Sequence, residues 1–126
     1  MHLIFDCTPA QRLWQEVVSA FNDILSAADP EHTPVMISSD LILFNHPPEG
    51  LSQLHSRDLI DIIMLGKHAI IKLKYRQNQE RSLNERLLIA TVSIDADKII
   101  AIRTRAGQPL NIFDVLVQKL KTLVGF

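Results

Sequence analysis

The chain has 126 residues, 47% of them hydrophobic and 21% charged, which fits one domain with one core and excludes a disordered or disulfide-scaffold protein. A single cysteine excludes an internal disulfide, and no leader or uncharged apolar run of ~18 residues is visible, so a soluble intracellular protein of cytoplasm or nucleus is expected, with no membrane partner. The net charge of −1 hides a split: residues 1–66 carry nine acids against two bases, residues 67–86 six bases against two acids, and residues 87–126 five against three.

Such a split suits a basic face for an anionic partner, or neutralisation of the two halves within one domain or across a dimer. The chain opens MHLIFDC, an apolar, strand-like start in which His2 and Cys7 stand in an H-x4-C spacing. That is half of a zinc pattern, and with no second cysteine the spacing alone favours Leu3, Ile4 and Phe5 as core residues with Cys7 as a small buried one.

Residues 8–28 predict a helix with Thr8 as N-cap and Pro9 at the first helical position. Leu13, Trp14, Val17, Val18, Phe21, Ile24 and Leu25 make one apolar stripe, and Asp29-Pro30 ends it. Residues 30–50 hold four prolines and read as a connector, with a short apolar run of either type at 40–44. A second helix is expected over 52–78, starting near Ser52 or Ser56, with Leu59, Ile62, Ile63, Ile70 and Leu73 inward. Its acids Asp58 and Asp61 lie in its N-terminal half and most of its bases in its C-terminal half, which complements the helix dipole. Gly66 in mid-helix suggests a close approach by a neighbouring helix.

Residues 82–105 carry conflicting signals. Ser82 and Glu85 form a capping box, whereas LLIATVSI and IIAIRT are β-branched runs separated by four polar or small residues, as in a hairpin. A helix is favoured, with a hairpin over 86–104 as the alternative. Residues 111–124 predict a last helix with Asn111 as N-cap and Gly125 at its C-terminal stop. It is apolar over much of its circumference, so it is either centrally buried or the surface of a homodimer. The expected fold is mainly α: about four helices in one bundle-like domain over 1–126, or α+β if 86–104 is a hairpin.

No nucleophile elbow, phosphate loop or metalloprotease motif is present, and Asp95 and Asp97 on a helix would point to different faces, so an enzyme is not expected. A nuclease using those two aspartates with a metal is the weakest reading. On the second helix His68, Lys72 and Arg76 recur every four residues with Tyr75 among them, Lys67 and Lys74 lie one heptad apart, and Arg81 follows. A cationic ridge beside an aromatic suits phosphate contacts with base stacking; an ordinary solvated helix face has the same pattern.

The string H-L-I-F-D-C-T-P-A-x-x-L-W at residues 2–14 resembles the end of the zinc knuckle in non-LTR (LINE-type) retrotransposon reverse transcriptases, through His2, Cys7, Pro9, Ala10, Leu13 and Trp14. More loosely, Leu41-Ile42-Leu43-Phe44 resembles an L-x-L-F-G element with Asn45 where Gly is usual, and Leu59–Lys74 resembles a long helix ending in K-x-K/R, here Lys72 and Lys74. The resemblance implies a remnant of a zinc knuckle at 1–7, with His2 and Cys7 as a metal half-site that holds zinc only if the missing ligands are supplied. It implies no cofactor otherwise, and no polymerase activity in this chain. The implied function is that of a non-catalytic accessory domain contributing RNA-template or target-DNA binding, through Lys67, His68, Lys72, Lys74, Arg76 and Arg81. The alternative is a helical protein–protein interaction module, a homodimer through the 111–124 helix.

Overall fold

The computed structural model describes residues 2–5, 7–76, 84–110 and 112–125. It is mainly helical, with no strand among the described residues. The helices are α1 (His2–Phe5), α2 (Thr8–Ala28), α3 (Ser39–Phe44), α4 (Gln53–Arg76), α5 (Glu85–Arg105) and α6 (Phe113–Leu123). The four long ones stand where the periodicity places them; α1 and α3 are additions.

Residues 86–104 form one continuous helix, so the hairpin alternative falls. Burial decides against β propensity here: Leu88, Ile89, Val92 and Ala96 all turn inward at helical spacing. The β-branched threonines sit outside, where Thr91 and Thr104 donate their hydroxyls to the carbonyls of Leu87 and Ile100. The cap is Asn84, whose side-chain oxygen accepts the Leu87 N–H at 3.1 Å. Ser82, half of the expected capping box, lies outside the described residues.

Other ends move by a residue. Cys7, not Thr8, occupies the N-cap position of α2: its carbonyl accepts the Gln11 N–H at 2.8 Å, and its side chain makes no capping bond. Pro9 still falls in the first turn, where its missing N–H costs nothing. Asp29 is extended as the residue before Pro30 must be, and α2 stops at Ala28. Of the two serines considered for α4, Ser52 caps, accepting the His55 N–H at 3.1 Å. Helix α6 starts at Phe113 with Ile112 in the cap position; Asn111, the expected cap, lies outside the described residues. Gly125 has φ +80°, the left-handed stop expected of a glycine there.

Two pieces of irregular backbone prove to be helical. The strand-like opening winds into the single turn α1, held down by Trp14, whose indole N–H donates to the Ile4 carbonyl at 2.7 Å. Ile4, Phe5 and Cys7 pack partly buried against the core, as the apolar composition of this stretch implies. Within the proline-bearing connector, Ser38 accepts the Leu41 N–H and starts α3. Asn45 closes α3 in the left-handed conformation at φ 56°, which Gly and Asn adopt most readily.

Helix α2 packs against α4, α5 and α6, and α5 lies between α4 and α6. Leu13, Trp14, Val17 and Phe21 of α2 meet Leu59, Ile62, Ile63 and Ile70 of α4 in one core with Leu88, Val92, Phe113, Leu116 and Leu120. Gly66 does mark a close approach. A Cβ added there would lie 2.6 Å from Cζ3 of Trp14, so only a glycine lets the indole lie on the α4 backbone.

Candidate nucleic-acid interface

Helix α4 orders its charges along its length, and its two ends have different fates. Near its start, Asp58 and Asp61 do more than complement the dipole. Both turn to Arg103, in the last turn of α5: Nη1 of Arg103 donates to Asp58 at 3.1 Å and Nη2 donates to Asp61. The guanidinium also lies over the Phe113 ring, 4.7 Å from its centroid. Asp58 is fully buried and Arg103 nearly so, and the second oxygen of Asp58 accepts the Ile112 N–H at 3.3 Å. One carboxylate thus ties the start of α4 to the end of α5 and the entry to α6. Burial is the main influence on this carboxyl and holds it above the usual carboxylate range, against the opposing pull of Arg103.

Arg103 was not legible as a partner of these acids. A base in a last helical turn ordinarily reads as a solvated dipole complement. The one available signal is its place in the three- and four-residue register of Leu88, Val92, Ala96 and Ile99, which puts it on the inward face.

Toward its C-terminus, α4 carries the expected cationic residues on two flanks. At about 100° per residue, Lys67 and Lys74 lie on one side of the outward face, and His68 and Lys72 on the other. Lys67 is engaged: its ammonium donates to the side-chain oxygen of Asn45 at 2.7 Å, and partial burial holds its pKa below the usual lysine value. It is a strut between α4 and α3 more than a free cation. His68 is exposed and Lys72 and Lys74 are half-buried. Among the described residues no carboxylate pairs with Lys72 or Lys74, nor with Arg57, Arg86, Arg105 or Lys119, whereas Arg12, Lys98 and Lys121 each meet one and Arg103 meets two. Met64 and Ile71 stand exposed between the two flanks. The side chains of Tyr75 and Arg76, and the whole of Arg81, lie outside the described residues.

The other candidate chemistry is not assembled. Asp95 pairs with Lys98 at 3.6 Å and Asp97 with Lys121 at 2.8 Å, on different faces of α5. The side chain of His2 lies outside the described residues, and among the described ones no group of three or more His, Cys, Asp or Glu could hold a metal ion. No described helix is long and apolar enough to cross a membrane. In comparisons with known proteins, no family model, curated protein or solved structure matches the chain.

Proposed function

We propose that the chain is a non-catalytic helical module that binds RNA or DNA along the C-terminal half of α4, as its resemblance to the tail of LINE-type reverse transcriptases implies. The observation that carries this reading is the division of charge on α4. Its acids are used internally by Arg103, while Lys72 and Lys74 have no carboxylate partner among the described residues. Cations left without internal partners at one end of a helix suit phosphate contacts. His68 joins them on the exposed side, and by sequence Arg76 and Arg81 extend the same run. Lys67 contributes mainly by holding α3 against α4. The proposed setting is intracellular, in cytoplasm or nucleus.

The test is fluorescence anisotropy with a labelled single-stranded RNA and a duplex DNA across a salt series. Binding is expected at ~50 mM salt and should weaken linearly in log–log form as salt rises. Replacing Lys72 and Arg76 with Ala should weaken binding and reduce the salt slope by about the number of phosphates lost. No binding of either probe at ~50 mM salt overturns the reading.

The homodimer alternative narrows to the exposed side of α6, where Val115 and Leu123 stand. Leu116 and Leu120 of α6 are fully buried in the chain's own core, with Phe113 and Val117, because α6 closes the bundle against α2 and α5. A charge at either leucine would therefore unfold the protein before it could report on an interface.

A further inference from the structure

The connector between α2 and α3 holds an open stretch of main chain. From His32 to Ser38 the chain runs without helix, turn or bend. It is clamped at its middle by Asn22 of α2: the Val35 N–H donates to the Asn22 side-chain oxygen at 2.8 Å, and the Asn22 amide donates to the Val35 carbonyl at 3.0 Å. Both polar groups of Val35 therefore point at α2, as both groups of a residue in an extended chain point to the same side. The N–H and C=O of Met36, the next residue, have no hydrogen-bond partner among the described residues. Met36 is 75% exposed, while Val35 is buried. Main-chain groups left open in this way can pair with another extended main chain.

The charge beside that stretch specifies its complement. Between Arg12 and Arg57 the chain has six acids and no lysine or arginine. Next to Met36, the connector folds over a cleft of about 510 Å³ between its two proline-bearing stretches, with Pro34, Leu41 and Pro47 as apolar wall and His32 and His46 also in the lining. Among the described residues Asp40 and Glu49 are its only carboxylates, and no lysine or arginine lines it. A lysine or arginine stem could lie on the prolines with its charged head at the two acids.

We propose that the open main chain at Met36 and this cleft dock an extended, basic peptide segment of a partner protein, paired to Met36 through its main chain with one cationic side chain in the cleft. This surface is separate from the cationic end of α4, and the inference does not depend on nucleic-acid binding.

The experiment uses the full chain and a fluorescein-labelled peptide of alternating lysine and valine, followed by anisotropy. Its controls are the alternating glutamate–valine peptide and a lysine–valine peptide N-methylated at every residue, which removes the main-chain donors. Saturable binding of the lysine–valine peptide alone, weakened about tenfold or more by Asp40→Asn with Glu49→Gln, is the expected result. Met36→Pro, which deletes the Met36 N–H, should abolish it while circular dichroism stays unchanged. If Met36→Pro does not fold, the N-methylated peptide tests the same hydrogen bonds without altering the protein. Equal binding of the glutamate–valine peptide overturns the proposal, as does undiminished binding of the N-methylated one. So does a chain that sediments as a dimer which the lysine–valine peptide does not dissociate, since the open stretch would then serve a second copy.

Discussion

The six-membered ring of Trp14 lies directly on the backbone of α4 at Gly66, close enough that a single methyl group at that position would overlap it. The same indole donates its N–H to the Ile4 carbonyl, so one side chain positions α1, α2 and α4 together. Replacing Gly66 with Ala sets two effects against each other. Helix propensity favours Ala by ~1 kcal/mol, whereas overpacking a close-packed site costs ~1–3 kcal/mol. With 2.6 Å to a ring carbon that has no room to swing away, the clash wins, and a net loss of about 1–2 kcal/mol is expected in urea unfolding. The double variant Gly66→Ala with Trp14→Phe, which removes the clashing ring atoms, should lose less than the sum of the two single changes. Strict additivity would show that the ring is not the obstacle.

Arg103 and its carboxylates make the second test. Replacing Arg103 with Ala strands Asp58 in the core without its cation, at an expected cost of ~3–5 kcal/mol. Some of that cost is lost packing over Phe113, so Arg103→Met, which keeps a long stem, separates the two contributions. Combining Arg103→Met with Asp58→Leu should recover much of the loss, because two buried charges leave together. A double variant less stable than Arg103→Met alone would contradict this account.

The raised pKa of Asp58 carries a pH dependence of definite sign. The folded state holds this proton more tightly than the unfolded chain does. The stability it contributes is fully present below the unfolded carboxylate pKa and is lost as pH rises through the higher folded value. Wild type should therefore lose stability relative to Asp58→Asn as pH rises from about 3.5 toward 7, levelling once the carboxyl is ionised in both states. Urea midpoints of both proteins across that window measure the difference. A gap that moves the opposite way would mean that Arg103 outweighs burial.

The long helices were legible because their inward residues recur at helical spacing, and even the doubtful 86–104 stretch follows that rule once its threonines are read as outward-facing. Gly66 was legible for the same reason: a glycine in the middle of an apolar stripe invites a neighbour. What escaped the sequence depended on distant partners. Asp58 and Asp61 look like ordinary first-half acids until the end of α5 arrives beside them. Lys67 looks like its neighbours Lys72 and Lys74 until the left-handed turn at Asn45 brings an amide oxygen to it. Cys7 caps α2 with its backbone alone, so no side-chain signal marks it.

The contrast between Lys67 and Lys72 separates a structural cation from a binding one. Lys67→Met keeps the aliphatic stem and removes the bond to Asn45, so it should cost ~1 kcal/mol in urea unfolding. Its effect on RNA affinity should be small, because the ammonium it deletes is already engaged and partly desolvated. Lys72→Gln should behave in the opposite way, with unfolding unchanged, affinity reduced several-fold, and the salt slope lowered by about one phosphate contact. Measuring both quantities for both variants makes the assignment testable from either side. If Lys67→Met weakens binding as much as Lys72→Gln while the fold is intact, the interface extends across α4 to the α3 flank. If neither variant affects binding, the cations of α4 are solvated surface and the nucleic-acid reading fails at its central residue.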